Sequence, residues 1–183
     1  MTVLDAPRGL HNVVVTTTSI GDVRGDEGFY HYRQYSAIDI ALHKTFEDAW
    51  FLMIEGRLPP PPIAQTLGFT LARIADGEVW FTCEPHEAHY NPIGMVHGGL
   101  VCTLLDSALG CAVHTQLPAG VGYTSIEIKV SYLRAVSPAS GMLTAHAQVT
   151  KPGRRVAFVD GDVRDAAGKI VATASGSCLI MGG

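Results

Sequence analysis

Charge is scarce in this chain. Asp, Glu, Lys and Arg make up 16% of its 183 residues, where a globular domain averages about 25%. A surface so poor in charge implies that part of it is covered in an oligomer. Basic excess is also missing: 13 Lys and Arg stand against 17 Asp and Glu, which removes the electrostatic footprint of a nucleic-acid binder. The four cysteines, Cys83, Cys102, Cys111 and Cys178, form no CxxC or other tight pair, so neither a zinc ribbon nor a disulfide framework is supported. No G-x-S-x-G elbow is present, which argues against an α/β-hydrolase. The longest apolar stretch, Leu100 to Leu117, is broken by Asp106 and His114, and a central carboxylate fits a buried helix better than a membrane span. The first residues lack a basic region followed by an apolar run, so no signal peptide, no membrane partner and a cytoplasmic location are expected.

One boundary is visible, at Pro59-Pro60-Pro61-Pro62. Consecutive prolines cannot continue a helix and favour an extended link, which suggests an appendage over 1–60 and a main domain over 61–183. In the appendage, Val13-Val14-Val15-Thr16-Thr17-Thr18 is β-branched and reads as a strand. Gly21 to Gly28 reads as a turn, and Phe29-Tyr30-His31-Tyr32 as a strand pairing back. Thr45 to Asp48 has the look of a capping box at a helix start, with Gly56 placed to stop that helix.

Beyond the prolines, Gly68 to Ile74 and Glu78 to Cys83 flank Ala75-Asp76-Gly77, a hairpin turn signal. His86 to Met95 is irregular, and Val96 to Leu117 is the one strong helix. Four β-like runs follow, Val121 to Leu133, Gly141 to Thr150, Arg155 to Arg164 and Ile170 to Met181, joined by short turns. The expected class is α+β, a six-stranded antiparallel sheet curved around one long helix that is apolar on nearly all sides.

The chemistry is concentrated between Asn91 and Asp106. Gly98 and Gly99 open the helix, where unpaired N–H groups and a partial positive charge can receive a polarised carbonyl oxygen. The same glycines also suit close helix–sheet packing, and Asn91 before Pro92 also suits a turn. Asp106 sits among Leu100, Val101, Leu104, Leu105 and Ala108; a carboxylate there must be paired, hydrogen-bonded or protonated, for structure or for catalysis. Cys83, Glu84, His86, Glu87 and His89 are potential metal ligands, but nothing fixes them on one face, so no metal and no cofactor are expected. Lys151, Arg154 and Arg155 form the densest cationic cluster of the main domain, either a solvated turn or a phosphate contact.

The pattern of Asn91, His97-Gly98-Gly99, Leu104-Leu105-Asp106, Tyr132-Leu133-Arg134-Ala135 and Gly153-Arg154-Arg155 resembles the hotdog-fold acyl-CoA thioesterases of the phenylacetate-pathway (PaaI-like) type. The likeness runs from about Pro61 to Met181. It implies Asp106 as nucleophile or general base, the Gly98 N–H as polarising the thioester carbonyl, and Asn91 as orienting the water or thioester. It also implies Thr124 as helping to hold the water, and His97 beside the site without acid–base work. Gly99, Arg154 and Arg155 are the expected substrate contacts, with the arginines on the CoA phosphates. The implied assembly is a homodimer or homotetramer, with Asp106 and Thr124 facing Gly98 and Asn91 of the partner. A non-catalytic acyl-CoA binder is the alternative, and a hotdog dehydratase a more distant one. A second resemblance covers Gly9 to Pro59, including Thr45-Phe46-Glu47-Asp48-Ala49 and Gly56-Arg57-Leu58-Pro59, which looks like the start of citrate synthases. The catalytic His and Asp residues of that family's large domain are absent, so citrate synthase activity is not expected.

Overall fold

A computed structural model describes residues 17–59 and 61–181, in two units that divide at Pro59. In the N-terminal unit β1 (Gly21–Arg24), β2 (Phe29–Tyr32) and β3 (Tyr35–Ser36) form a small antiparallel sheet. The strand expected from Val13 falls outside the described residues up to Thr16, and Thr17 and Thr18 are not extended into one. The turn expected over Gly21 to Gly28 is narrower: its first half is β1, because Val23 is β-branched and the Arg24 guanidinium stacks 3.8 Å from the centre of its cross-strand partner Phe29. Two helices follow, α1 (Ala37–His43) and α2 (Phe46–Glu55). Thr45 and Asp48 do close a reciprocal capping box, and Gly56 ends α2 at φ 78. Arg33 donates to the last carbonyls of α2, Leu52 O at 3.1 Å and Met53 O at 2.7 Å; a cation there also opposes the helix dipole.

In the C-terminal unit the proline run does not stay extended. Pro61 caps α3 (Pro62–Leu67), and Pro62 takes its first position, where a missing N–H costs nothing. Strands β4 (Phe69–Ala75) and β5 (Glu78–Cys83) form the expected hairpin. Helix α4 (Gly98–His114) is shorter than the expected run at both ends. It stops where Thr115 Oγ1 donates to Ala112 O and accepts from Gly77 N. Strands β6 (Gly122–Tyr132), β7 (Leu143–Lys151), β8 (Val156–Arg164) and β9 (Ile170–Met181) complete one antiparallel sheet in the order β4-β5-β7-β8-β9-β6.

Helix α4 lies on this sheet through Leu100, Leu104, Leu105, Ala108 and Leu109, all buried. The sheet meets it with small residues, Ala145, Ala147, Ala172 and Ala174. Leu109 presses against Gly161 and Gly176, where an added Cβ would come within 3.2 and 3.3 Å of its methyls. The helix is apolar on most of its surface but not on all of it. Asp106 and His114 are exposed and Thr103 and Ser107 half-exposed, so one polar stripe of α4 is left open. The strand register has a corresponding irregularity. Ser125 pairs with Cys178 and Glu127 with Ser177, which leaves Ile126 as an extra, bulged residue of β6.

Leu105 has no exposed surface at the centre of this contact. Leu105→Ala should therefore cost about 2–5 kcal/mol, read as a lower urea midpoint at unchanged slope.

Candidate functional site

The loop before α4 is held by Asn91. Its Oδ1 accepts from Ile93 N and Met95 N, both at 3.1 Å. Two backbone donors fix which end of the amide is oxygen, so Nδ2 is the group left to act outward. His97 is the N-cap of α4: its Nδ1 accepts from Gly99 N at 2.9 Å. A Cβ on Gly99 would lie 2.8 Å from that nitrogen, so the bare Cα of Gly99 serves the cap. The Gly98 N–H has no partner among the described residues and is the free donor at the helix start. Tyr132 fixes this end from β6, with its hydroxyl donating to Gly98 O at 2.9 Å and its ring 3.2 Å from where a Gly98 Cβ would stand. Asn91, Gly98, Tyr132 and Arg134 share the lining of a cavity of about 360 Å³.

Asp106 belongs to a different place on the same helix. It is exposed, and its Oδ1 accepts from Ser125 Oγ at 2.9 Å. Counting back by twos from the half-buried Val130 and Ile128 would turn Ile126 and Thr124 inward. The bulge at Ile126 reverses the count, so Ser125 and Tyr123 face α4, and Ile126 is 55% exposed. Asp106 thus takes its hydrogen bond from Ser125, while Thr124, expected to help hold the water, lines the same cavity as Asp106. That cavity, about 370 Å³, is otherwise walled by Ile63, Phe69, Phe81, Cys111 and Tyr123. A second, of about 330 Å³, has Asp106, Ser125, Cys102 and Thr103 at its walls.

Gly98 and Asp106 are eight residues apart on one helix (106 − 98 = 8). At 1.5 Å rise per residue that is about 12 Å. One reacting carbonyl cannot touch both, since each contact requires about 3 Å. Each chain therefore presents two separated halves, a donor end and a carboxylate. Arg154 and Arg155 are exposed in the turn joining β7 and β8 and line none of these three cavities. Arg134, on the Gly98 cavity, is a cation that charge counting did not distinguish.

No thiol competes with the carboxylate. Burial pushes Cys83 up to about 11 and raises Cys102, Cys111 and Cys178 as well, with the Asp106 charge adding to the last three. All four are free and remain protonated. Among the described residues no group of three or more His, Cys, Asp or Glu is placed to hold a metal ion. The rings of His86 and His89 lie 3.8 Å apart between centroids at a 37° tilt, and His89 Nδ1 accepts from His86 N. No helix among the described residues is long and apolar enough to cross a membrane.

A family model described as Thioesterase superfamily matches residues 93–172. One described as Citrate synthase, C-terminal domain, matches residues 9–87 and so runs past Pro59 through β5. A Halobacterium salinarum protein assigned as an esterase is 37% identical over 126 residues, 63% of this chain and 82% of its own length. Human acyl-coenzyme A thioesterase 13 is 32% identical over 105 residues, 56% of this chain and 73% of its own. A phenylacetic acid degradation-related protein of Ralstonia eutropha, solved by crystallography, is 30% identical with a TM-score of 0.63, over 70% of this chain and 96% of its own.

His89, whose carbonyl accepts from His97 N, ties the loop to the helix start. Burial, with His86 beside it, holds its pKa below the ordinary 6.5, and its Nε2 is buried without a partner. The folded chain thus binds this proton less readily than the unfolded chain. Stability from His89 is full above the ordinary value and is lost as pH falls below it. Thermal midpoints from about pH 7 down to about pH 5 should fall less in His89→Asn than in the parent protein.

Proposed function

The chain belongs to the thioesterase superfamily, and from that premise we propose that it hydrolyses an acyl- or aryl-CoA thioester to the free acid and CoA, in a site completed by a second copy. The observation that carries this reading is the separation of about 12 Å along α4 between the free Gly98 N–H and Asp106. A two-fold pairing joins the Gly98 and Asn91 half of one protomer to the Asp106 and Ser125 half of its partner. Strand β6 ends the sheet order and is exposed from Thr124 to Glu127, so its free backbone edge is available to pair with another β6.

In the completed site the thioester oxygen receives the Gly98 N–H at the positive end of α4. Ser125 holds Asp106 Oδ1, which leaves Oδ2 to take a proton from water. Asn91 Nδ2 and Thr124 orient the water and the thioester. Water attacks the carbonyl carbon, the C–S bond breaks, and CoA leaves as a thiolate that the transferred proton neutralises. A thiolate leaves readily, so a base and an oxyanion donor suffice, worth about 10²–10⁴ and 10²–10³ in rate. His97 holds the helix start, and Gly99 gives it room. Arg154 and Arg155, with Arg134, are the cations available to CoA phosphates.

Asp106→Asn keeps the side-chain volume and removes the base, so thiol release from acyl-CoA should fall by about 10²–10⁴. Single turnover in ¹⁸O-water should leave Asp106 unlabelled; label in its carboxylate would identify a covalent anhydride instead. Full activity in folded Asp106→Asn would leave an acyl-CoA binder or another catalytic group as the explanation.

Mixing tests the shared site. Asp106→Asn and Asn91→Ala proteins, each weak alone, should regain about a quarter of parental activity after subunit exchange, because half the dimers are mixed and each carries one intact site. No recovery between dimers shown to exchange would place both halves in one chain.

A further inference from the structure

The cavity at Asp106 has a floor, and a second cavity lies behind it. The first, about 370 Å³, runs from Asp106 between Phe69, Phe81 and Ile63 to Cys111 and Tyr123. The second, about 360 Å³, lies at the far end of α4 between Leu71, Ile74, Val79, Cys111 and His114. Cys111 lines both, so its side chain is common wall. Tyr123, beside it in the lining of the first cavity, packs its ring at 5.4 Å between centroids against His114, which lines the second. The ring fits there because residue 110 is glycine. A Cβ at Gly110 would lie 2.6 Å from the Tyr123 ring and hydroxyl, so a helix with any side chain at that position would expel it.

We propose that Tyr123 and Cys111 set the length of acyl group this protein accepts, by closing the cavity at Asp106 against the apolar cavity behind it. The inference rests on the thioesterase reading and names its substrate class. At about 30 Å³ per heavy atom, the share of a water molecule in the liquid, a cavity of 370 Å³ takes about a dozen atoms. Medium-length and single-ring acyl groups fit; a palmitoyl chain does not unless it passes Cys111. Burial first, and then Cys111, raise the Tyr123 phenol above its ordinary value, so the ring enters the wall uncharged. Beyond the wall the lining is apolar enough to receive a methylene chain once an opening exists.

The test is kcat/KM for octanoyl-CoA and palmitoyl-CoA, below the micelle concentration, in the parental protein, Tyr123→Ala and Cys111→Ala. Cys111→Ala removes one sulfur from the shared wall and guards against misfolding of the larger truncation. Octanoyl-CoA should be preferred by the parental protein, and the ratio of palmitoyl to octanoyl should rise about tenfold or more in at least one folded variant, the range expected when a hydrophobic pocket changes by a methylene or more. A parental preference for palmitoyl-CoA, or an unchanged ratio in both folded variants, would overturn the proposal. Absence of hydrolysis by the parental protein of both substrates and of an aryl-CoA thioester would instead remove the thioesterase reading on which it stands.

Discussion

The fixed rise of one helix governs this molecule. Helix α4 buries Leu104, Leu105 and Leu109 against a sheet of small residues, and that contact leaves the helix no freedom to slide or turn. Every functional group is then placed by counting along it. The free Gly98 N–H stands at its start, Asp106 about 12 Å further on, and Cys111 about 7.5 Å beyond that. Packing that stabilises the fold thereby keeps the Gly98 N–H and the Asp106 carboxylate apart. It also leaves an open polar stripe on α4, and β6 at the end of the sheet order.

Much of the fold was legible because its signals are local. The hairpin around Asp76-Gly77, the capping box at Thr45 and the last strand, Ile170 to Met181, have residues whose preferences agree with their final state. What was not legible depends on partners distant in sequence. The strand character of Gly21–Arg24 needs Phe29 opposite it. Helix α3 needs the last proline to be counted as a first helical residue rather than a breaker. For the site, the His97-Gly98-Gly99 and Asp106 spacing directed attention to α4. Ser125 escaped because period-two counting assumes an unbroken ladder, and the bulge at Ile126 is visible only against β9. The exposure of Asp106 was missed for a similar reason: its apolar neighbours in sequence point to the other side of the helix.

The appendage is built as a unit of its own. Arg33, at φ 52 in the left-handed region, directs its guanidinium to the carbonyls that end α2, and Gly56 leaves space beside it. Its helices still present Ile38, Leu42, Phe46, Trp50 and Ile54 to solvent.

Both outer strands of the large sheet carry a bulge, β6 at Ile126 and β4 between Leu71 and Arg73. An evenly spaced row of free N–H and C=O groups is a template on which strand after strand can add without limit. Here the spacing is broken at each margin, so a foreign strand that starts in register falls out of it within a few residues. The same irregularity that turns Ser125 toward Asp106 therefore also makes this margin a poor template for strand addition without limit.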